Sequence, residues 1–188
     1  MPQDSTASAL PLSVVDLLQT LCTRLALTNS VIEHGPTFSA AETQAVLPPG
    51  CLVQKTVTDR VADKLVVWTG AGDFRLSHRA YRSANRTLGL RTRSEHTLNP
   101  HDVDALKFYG MQPGMVSPFF IPGTQAISQI AAIFLVDQVE PAEGLLVALS
   151  LSLHKSLLIP LKGLDELVHL YASTVYADVP LYRTEVLL

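Results

Sequence analysis

The sequence is poor in cysteine and in charged residues. Its 188 residues include two cysteines, Cys22 and Cys51, and only 16% are Asp, Glu, Lys or Arg. Two cysteines cannot form a disulfide framework, and without a Cys-x-x-Cys pair the common zinc knuckle is excluded. A hydrophobic share of 47% excludes a chain too polar to bury a core. We therefore expect a globular protein of a reducing compartment, and we place it in the cytoplasm.

Long hydrophobic runs are also missing. The most apolar windows, residues 127–136 and 144–153, are each about half as long as a bilayer-spanning helix. Residues 1–12 have no basic residue ahead of their apolar stretch and do not resemble a secretory signal. We expect no membrane partner, a flexible segment over residues 1–12, and one domain over residues 13–188.

Helix-like and strand-like patterns alternate along the chain, which predicts a mixed α/β fold. Apolar residues recur at helical spacing after Ser13, a candidate N-cap, and Ser39 with Glu42 forms a capping-box pattern for a second helix. The continuous apolar run at residues 65–68 predicts a buried strand. Other strands are predicted at residues 51–58, 91–92, 127–136, 145–151 and 155–160, and other helices at 77–88, 101–109 and 164–171.

The segment 110–119 combines loop-forming and apolar residues. Two glycines, two prolines and a serine within ten positions force a defined backbone, because proline fixes φ and glycine allows close approach. Any tight turn could use these residues, but Met115, Val116 and Phe119 would be unusual on a solvent-facing turn. A buried loop beside a pocket explains both features, and its N–H groups could stabilise an oxyanion.

Lys55 lies in a predicted strand. Strand alternation puts it on the same face as Cys51, Val53 and Val57, where an unpaired ammonium group would be costly to bury. One interpretation is a functional lysine in a pocket. The other is an edge-strand lysine that opposes aggregation.

Residues 75–93 form a basic island. They contain six arginines and no acid, although the chain has a net charge of −3. Arg75, Arg79, Arg82 and Arg86 recur every three or four positions, which predicts one helical face. Such a face suits phosphate groups, because the planar guanidinium donates two parallel hydrogen bonds. The alternative is an ordinary solvated helix surface.

No nucleophile–base pair or metal site can be assigned. His96, His101 and Asp102 match no familiar metal-ligand spacing, and a Gly-x-Ser-x-Gly elbow is absent. Cys51 has no assignable histidine partner. We expect neither a metal nor a cofactor.

Taken together, residues 110–119, Lys55-Thr56 and Glu33-His34 resemble the YbaK/ProX superfamily of aminoacyl-tRNA editing domains. This group includes free-standing trans-editing proteins and the editing insertion of bacterial prolyl-tRNA synthetase. The resemblance covers residues 13–172, and its most specific part is residues 114–118, which match the Gly-x-x-x-Pro loop of the family. It implies a curved mixed sheet flanked by helices.

The resemblance also implies an activity. Members hydrolyse the ester between a wrong amino acid and the 3′ adenosine of tRNA without a metal, assisted by the substrate's own 2′-hydroxyl. By this resemblance Lys55 would anchor the terminal phosphate or ribose, and the Gly114 N–H would hold the acyl carbonyl or the ribose. The implied substrate-binding residues are His34, Thr37, Phe38, Thr56, Gly110, Met115, Val116, Ser117, Pro118 and His154. The arginine face would receive acceptor-stem phosphates, an assignment that lies outside the family motif.

The sequence departs from the family pattern at two places, the first of which concerns substrate specificity. Members often carry Asp or His in the strand after the loop, where the sequence here has Leu158; a shifted alignment gives His154 that role. A few extra residues also separate Lys55 from Gly110, at about residues 70–73.

The leading interpretation is a trans-editing deacylase for a small amino acid. Its expected partners are misacylated tRNA and, as a second candidate, an aminoacyl-tRNA synthetase; a monomer and a homodimer remain open. The alternative is a catalytically inactive relative that binds aminoacyl-tRNA, a small ligand or a protein partner as a regulator. A third interpretation is a general RNA-binding domain built on the arginine face.

Overall fold

The computed structural model describes residues 10–61, 64–89, 105–112, 114–176 and 178–185. In these residues seven strands and six helices alternate, which confirms the mixed α/β class. In chain order the elements are α1 (Leu12–Arg24), β1 (Ser30–Glu33), α2 (Ala40–Val46), β2 (Cys51–Val61), β3 (Lys64–Ala71), α3 (His78–Thr87), α4 (Ala105–Tyr109), α5 (Gln125–Gln129), β4 (Ile130–Asp137), β5 (Leu146–Ser152), β6 (Lys155–Pro160), α6 (Leu164–Val175) and β7 (Leu181–Glu185).

The strands form one mixed sheet in the order β1-β6-β5-β2-β3-β4-β7. Strand β2 belongs to both halves of this sheet. Its first residues, Cys51 to Val53, pair in parallel with β5, whereas Gln54 to Val61 pair antiparallel with β3. Within the described residues β5 has no pairing with β2 beyond Val53, so the two halves of the sheet part at this point.

The two sides of the sheet are covered differently. One side carries the main core, where α1, α6 and the segment after α4 pack on strand residues such as Val67 and Leu149. The other side carries two smaller clusters. One surrounds Trp68 below α3, and the other surrounds Cys51 and Leu158.

Several predicted boundaries need correction. Helix α1 begins at Leu12 with Pro11 at the N-cap, because the Pro11 carbonyl already accepts bonds from Val14 and Val15; Ser13 is therefore not the cap. Ordered structure also precedes residue 13, since Leu10 is buried and its N–H donates to the Leu151 carbonyl. Residues 127–129 are helical, although they were predicted to begin a strand.

Other predictions are confirmed or lie outside the described residues. Ser39 caps α2 by accepting a bond from the Glu42 N–H at 3.2 Å. Strand β7 was not predicted. The predicted strand at residues 91–92 and the first half of the predicted helix 101–109 fall outside the described ranges. No helix in the described part of the chain is both long and apolar enough to cross a membrane.

Candidate functional site

The segment after α4 is a buried loop, as its composition predicts. Met111, Met115 and Phe119 are fully buried in the main core. Gly110 and Gly114 have φ of +71° and +86°, a region that favours glycine. Pro113, between them, lies outside the described residues. The loop is therefore held by its apolar side chains, and its glycines permit the turns.

Gly114 lies directly against the backbone of Phe38. A Cβ atom added at Gly114 would stand 2.5 Å from the Phe38 carbonyl oxygen and 2.6 Å from its carbonyl carbon. No real side chain tolerates these distances, so the contact requires glycine. Phe38 as a whole is 54% exposed. The structure thus brings together Gly114 and Phe38, which the sequence predicted to share a site, and Phe38 is exposed at this contact.

The second half of the loop is tied to α6 by two tyrosines. The Tyr176 hydroxyl donates to the Pro118 carbonyl and accepts from the Phe120 N–H at 2.6 Å. The Tyr171 hydroxyl donates to the Phe120 carbonyl at 2.9 Å. Burial raises the pKa of both phenols, so they stay neutral at physiological pH.

Ser117 and Val116 face the interior rather than an open surface. The Ser117 hydroxyl is buried and accepts from the Phe119 N–H at 3.4 Å, a weak turn-closing bond. Val116 is partly buried against the main core. These residues hold the shape of the loop, and a direct substrate contact from Ser117 would need a rearrangement.

Lys55 lies on β2, the fourth of the seven strands, and pairs with Gly70 of β3. Among the described residues the pairing of β2 with β5 ends at Val53, so at Lys55 strand β2 is paired on one side and the edge-strand interpretation stays open. The predicted alternation holds, since Cys51 and Val57 pack in the two smaller clusters while Leu52 packs on the main core. The Lys55 ammonium donates to the Asp73 carboxylate and, at 2.8 Å, to the Phe74 carbonyl. It also lies 5.5 Å from the centre of the Phe74 ring, within cation–π range.

Helix α2 connects the loop to the lysine strand. Its N-terminal end follows Phe38, whose N–H donates to Glu42 at 2.7 Å. Towards its other end, the Gln44 amide donates to the Cys51 carbonyl at 2.9 Å and accepts from the Val53 N–H at 2.8 Å. Gln44 therefore occupies the edge of β2 just before Lys55. Among the described residues, no hydrogen bond or ion pair joins Lys55 to the loop itself.

Polar side chains line the opposite face of β2, where the sheet parts. The Gln54 amide donates to the hydroxyls of Thr56 and Thr69 at 2.5 and 2.7 Å. Further along, the Thr58 hydroxyl is 2.8 Å from that of Tyr109, immediately before the loop. Thr56 was predicted as a site residue. Gln54 and Thr69 were missed, because their association depends on the pairing of β2 with β3.

His34 and Ser156 form a pair that the sequence did not reveal. His34 Nδ1 lies 2.7 Å from the Gly35 carbonyl, which can only accept, so Nδ1 carries the proton. In the neutral ring, Nε2 then accepts from the Ser156 hydroxyl at 3.0 Å. This is the arrangement of a base and a nucleophile, but the Ser156 side chain is fully buried. The pair therefore orients His34 and presents no accessible nucleophile.

Two further residues that were predicted to bind substrate, Thr37 and His154, lie near His34. Thr37 is buried, accepts from the Thr43 hydroxyl at 2.9 Å and donates its N–H to the Leu153 carbonyl. His154 is exposed in the turn between β5 and β6, where its carbonyl accepts the His34 N–H. Leu158 packs in the Cys51 cluster rather than on an open surface.

The described residues contain neither an activated Cys51 thiol nor a cluster of metal ligands. Burial raises the pKa of the Cys51 thiol, which lowers the thiolate fraction that a nucleophile needs. Within the described ranges, no group of three His, Cys, Asp or Glu side chains could hold a metal ion. His96, His101 and Asp102 lie outside those ranges.

Three of the four predicted arginines come together on α3. Arg79, Arg82 and Arg86 line an open cleft of about 420 Å³ with Ser83. Arg75 precedes the helix, which begins at His78, so the prediction of a single four-arginine helical face is wrong for Arg75.

Comparison with solved structures supports the fold. A structure from work on epitope backbone grafting onto scaffold proteins by computational design aligns over 94% of this chain and 97% of its own, with a TM-score of 0.56 and 16% identity. A crystal structure of a protein provisionally assigned as a trans-editing enzyme for prolyl-tRNA synthetase aligns over 86% and 94%, with a TM-score of 0.51 and 18% identity. No protein-family profile and no curated protein matches the chain.

Proposed function

We propose that this chain is a metal-independent hydrolase that removes a small, wrongly attached amino acid from the 3′ adenosine of tRNA. The observation that carries the proposal is the contact between Gly114 and the Phe38 backbone. It places a conformationally constrained loop beside an exposed aromatic residue. The similarity in fold to a protein provisionally assigned as a trans-editing enzyme supports the same proposal.

The proposed reaction adds water across an ester. Water attacks the acyl carbon, the carbonyl oxygen becomes an oxyanion, and the 3′ oxygen leaves as a hydroxyl with a proton. The products are a free amino acid and uncharged tRNA. The Gly114 N–H would donate to the oxyanion or to the ribose, and the 2′-hydroxyl of the substrate would assist the attack.

Lys55 would bind the terminal phosphate or ribose. Its ammonium is already paired with an anion, Asp73, and this ion pair supports an anion-binding role for Lys55. A substrate phosphate would replace Asp73 there. The burial of Ser156 and Cys51 agrees with direct attack by water rather than by a serine or cysteine nucleophile of the protein.

The test is deacylation of a tRNA panel. Release of Ala, Ser, Thr, Cys and Pro would be measured from matched and mismatched tRNAs with the wild type, Lys55→Ala and the control Lys64→Ala, an exposed lysine on the next strand. We expect Lys55→Ala to lower kcat/KM about 10- to 100-fold, since a hydrogen bond to a charged group contributes roughly 1.5–3 kcal/mol. Unchanged tRNA charge across the whole panel would refute the proposal.

A second candidate is a regulator that binds aminoacyl-tRNA, a small ligand or a protein partner without hydrolysis. The ion pair of Lys55 with Asp73 favours it, because the lysine is neutralised in the free protein. Ligand binding that survives Lys55→Ala, together with no ester hydrolysis by the wild type, would select this candidate.

A further inference from the structure

The cleft on α3 carries three positive charges that no described acidic side chain pairs with. Arg79, Arg82 and Arg86 are exposed, and none of the ion pairs found between described residues involves them. The nearest acid before the helix, Asp73, is bound to Lys55. Within the part of the chain that the structure describes, three guanidinium groups therefore line one open cleft without a carboxylate partner, an arrangement that favours a bound polyanion.

Helix α3, which carries the three arginines, is fixed by an N-terminal cap and by buried alanines. Ser77 caps α3 by accepting from the Ala80 N–H at 3.3 Å. Ala80 and Ala84 are buried in the cluster around Trp68, which turns the arginines outward. Helical geometry separates successive arginines by about 4.5 and 6 Å along the axis. Ser83 lies between them and adds a hydroxyl to the cleft.

The composition of the exposed face argues against a lipid partner. A helix that lies on a membrane inserts large apolar side chains opposite its basic face. The inward face of α3 is already packed on the sheet, and its exposed residues are polar or basic: His78, Arg79, Arg82, Ser83, Arg86 and Thr87. Arginine forks without apolar anchors suit a phosphodiester backbone instead.

The cleft follows shortly after Phe74, a hydrogen-bond partner of Lys55, in the chain. The Phe74 carbonyl, which accepts from Lys55, precedes the first residue of α3 by a short connection. An extended anion could therefore follow α3 and end near the lysine. We propose that Arg79, Arg82 and Arg86 bind the phosphate backbone of the tRNA acceptor stem. The phosphate chemistry follows from the cleft itself, whereas naming tRNA rests on the proposed function.

The experiment compares two triple variants of equal charge. The cleft variant, Arg79→Gln/Arg82→Gln/Arg86→Gln, removes the three positive charges of the cleft. The control variant, Arg24→Gln/Lys64→Gln/Lys162→Gln, removes three exposed positive charges elsewhere. Binding of uncharged tRNA is measured by fluorescence anisotropy over a salt series. The cleft variant should lower the magnitude of the slope of log K against log salt by about 2–3, because each phosphate contact contributes roughly 0.7–0.9. The control should leave the slope nearly unchanged.

Failure of this inference can be told apart from failure of the proposed function. Uncharged tRNA has no ester, so its binding does not depend on hydrolysis. Hydrolysis of a 3′-aminoacyl adenosine, which has no stem, should be equal in the cleft variant and the wild type. Equal slopes for the two variants, with unchanged circular dichroism, would overturn the inference. Cleft-dependent binding to anionic lipid vesicles in preference to tRNA would overturn it as well.

Discussion

The Lys55 ammonium and the Asp73 carboxylate form an ion pair whose two partners differ in exposure. The lysine side chain is 23% exposed and the aspartate side chain 67%. Lys55 also donates to the Phe74 carbonyl, so this second contact does not depend on Asp73. Asp73 is thus an exchangeable counter-ion, and an anionic ligand would compete with it for Lys55.

Asp73→Asn should therefore strengthen binding of the proposed anionic substrate. Exposed ion pairs contribute roughly 0.2–1 kcal/mol, which corresponds to a KM lower by about 1.5- to 5-fold. The hydrogen bond and charge of Lys55, with a smaller effect of Arg75, lower the pKa of Asp73. The pair therefore persists at neutral pH and is lost only as the pH falls through this lowered pKa. The measurement is KM for misacylated tRNA, with exposed Asp178→Asn as control. A higher KM would show that Asp73 assists binding.

Gly114→Ala should destabilise the protein more than Gly123→Ala. Both glycines have nearly the same φ, +86° and +84°, but a Cβ at Gly123 meets nothing within 4 Å. The Gly123 change should therefore report backbone strain alone, of order 1–3 kcal/mol. The Gly114 change adds a clash with Phe38, which we expect to cost about 1–3 kcal/mol more. Chemical denaturation measures both, and equal losses would contradict the close contact.

Tyr176→Phe should loosen the loop. It would leave the Phe120 N–H and the Pro118 carbonyl without the partner that they share, at a cost of about 1–3 kcal/mol. Tyr171→Phe removes one bond, to the Phe120 carbonyl, and should cost less. Urea denaturation at pH 7 gives the two losses, and a larger loss for Tyr171→Phe would contradict the expected order.

The same tyrosines predict an alkaline limit to stability. Burial raises the pKa of each phenol above its unfolded value of about 10. The folded state then holds protons that the unfolded state releases. Stability contributed by the neutral hydroxyls is complete below about pH 10 and declines as the pH rises further. The double Phe variant should show a shallower decline in unfolding free energy between about pH 10 and 11.

Leu158→Ala should affect stability and leave substrate choice unchanged. Leu158 is buried with Cys51 and Ala148, so its truncation opens a cavity and should cost roughly 2–5 kcal/mol. The relative rates of Ala, Ser and Pro release should match the wild type. A stable variant with a new amino-acid preference would instead place Leu158 in the specificity pocket.

Local sequence patterns predicted much of the fold. The Ser39–Glu42 cap, the buried run in β3 and the apolar loop around Met115 all depend on neighbours close in the chain. Strand β7 escaped prediction because Leu181–Glu185 carries only weak alternation and is defined by its pairing with β4.

The site was predictable only in part. Lys55 and the glycine loop stand out by residue type, whereas Asp73 becomes a partner only after β3 has turned back beside β2. The Tyr176 bonds and the His34–Ser156 pair likewise join segments far apart in the chain. Such partners carry no local signal.

The shared strand β2 has a consequence for how the chain reaches its native state. Its pairing with β5, and that of β1 with β6, unites residues widely separated in sequence. Closing such long loops loses chain entropy before any contact is gained, which slows folding. The junction of β2 with β5 should therefore form late, after the local β2–β3 hairpin, so a folding chain would form the Lys55–Asp73 ion pair early and the pairing with β5 last.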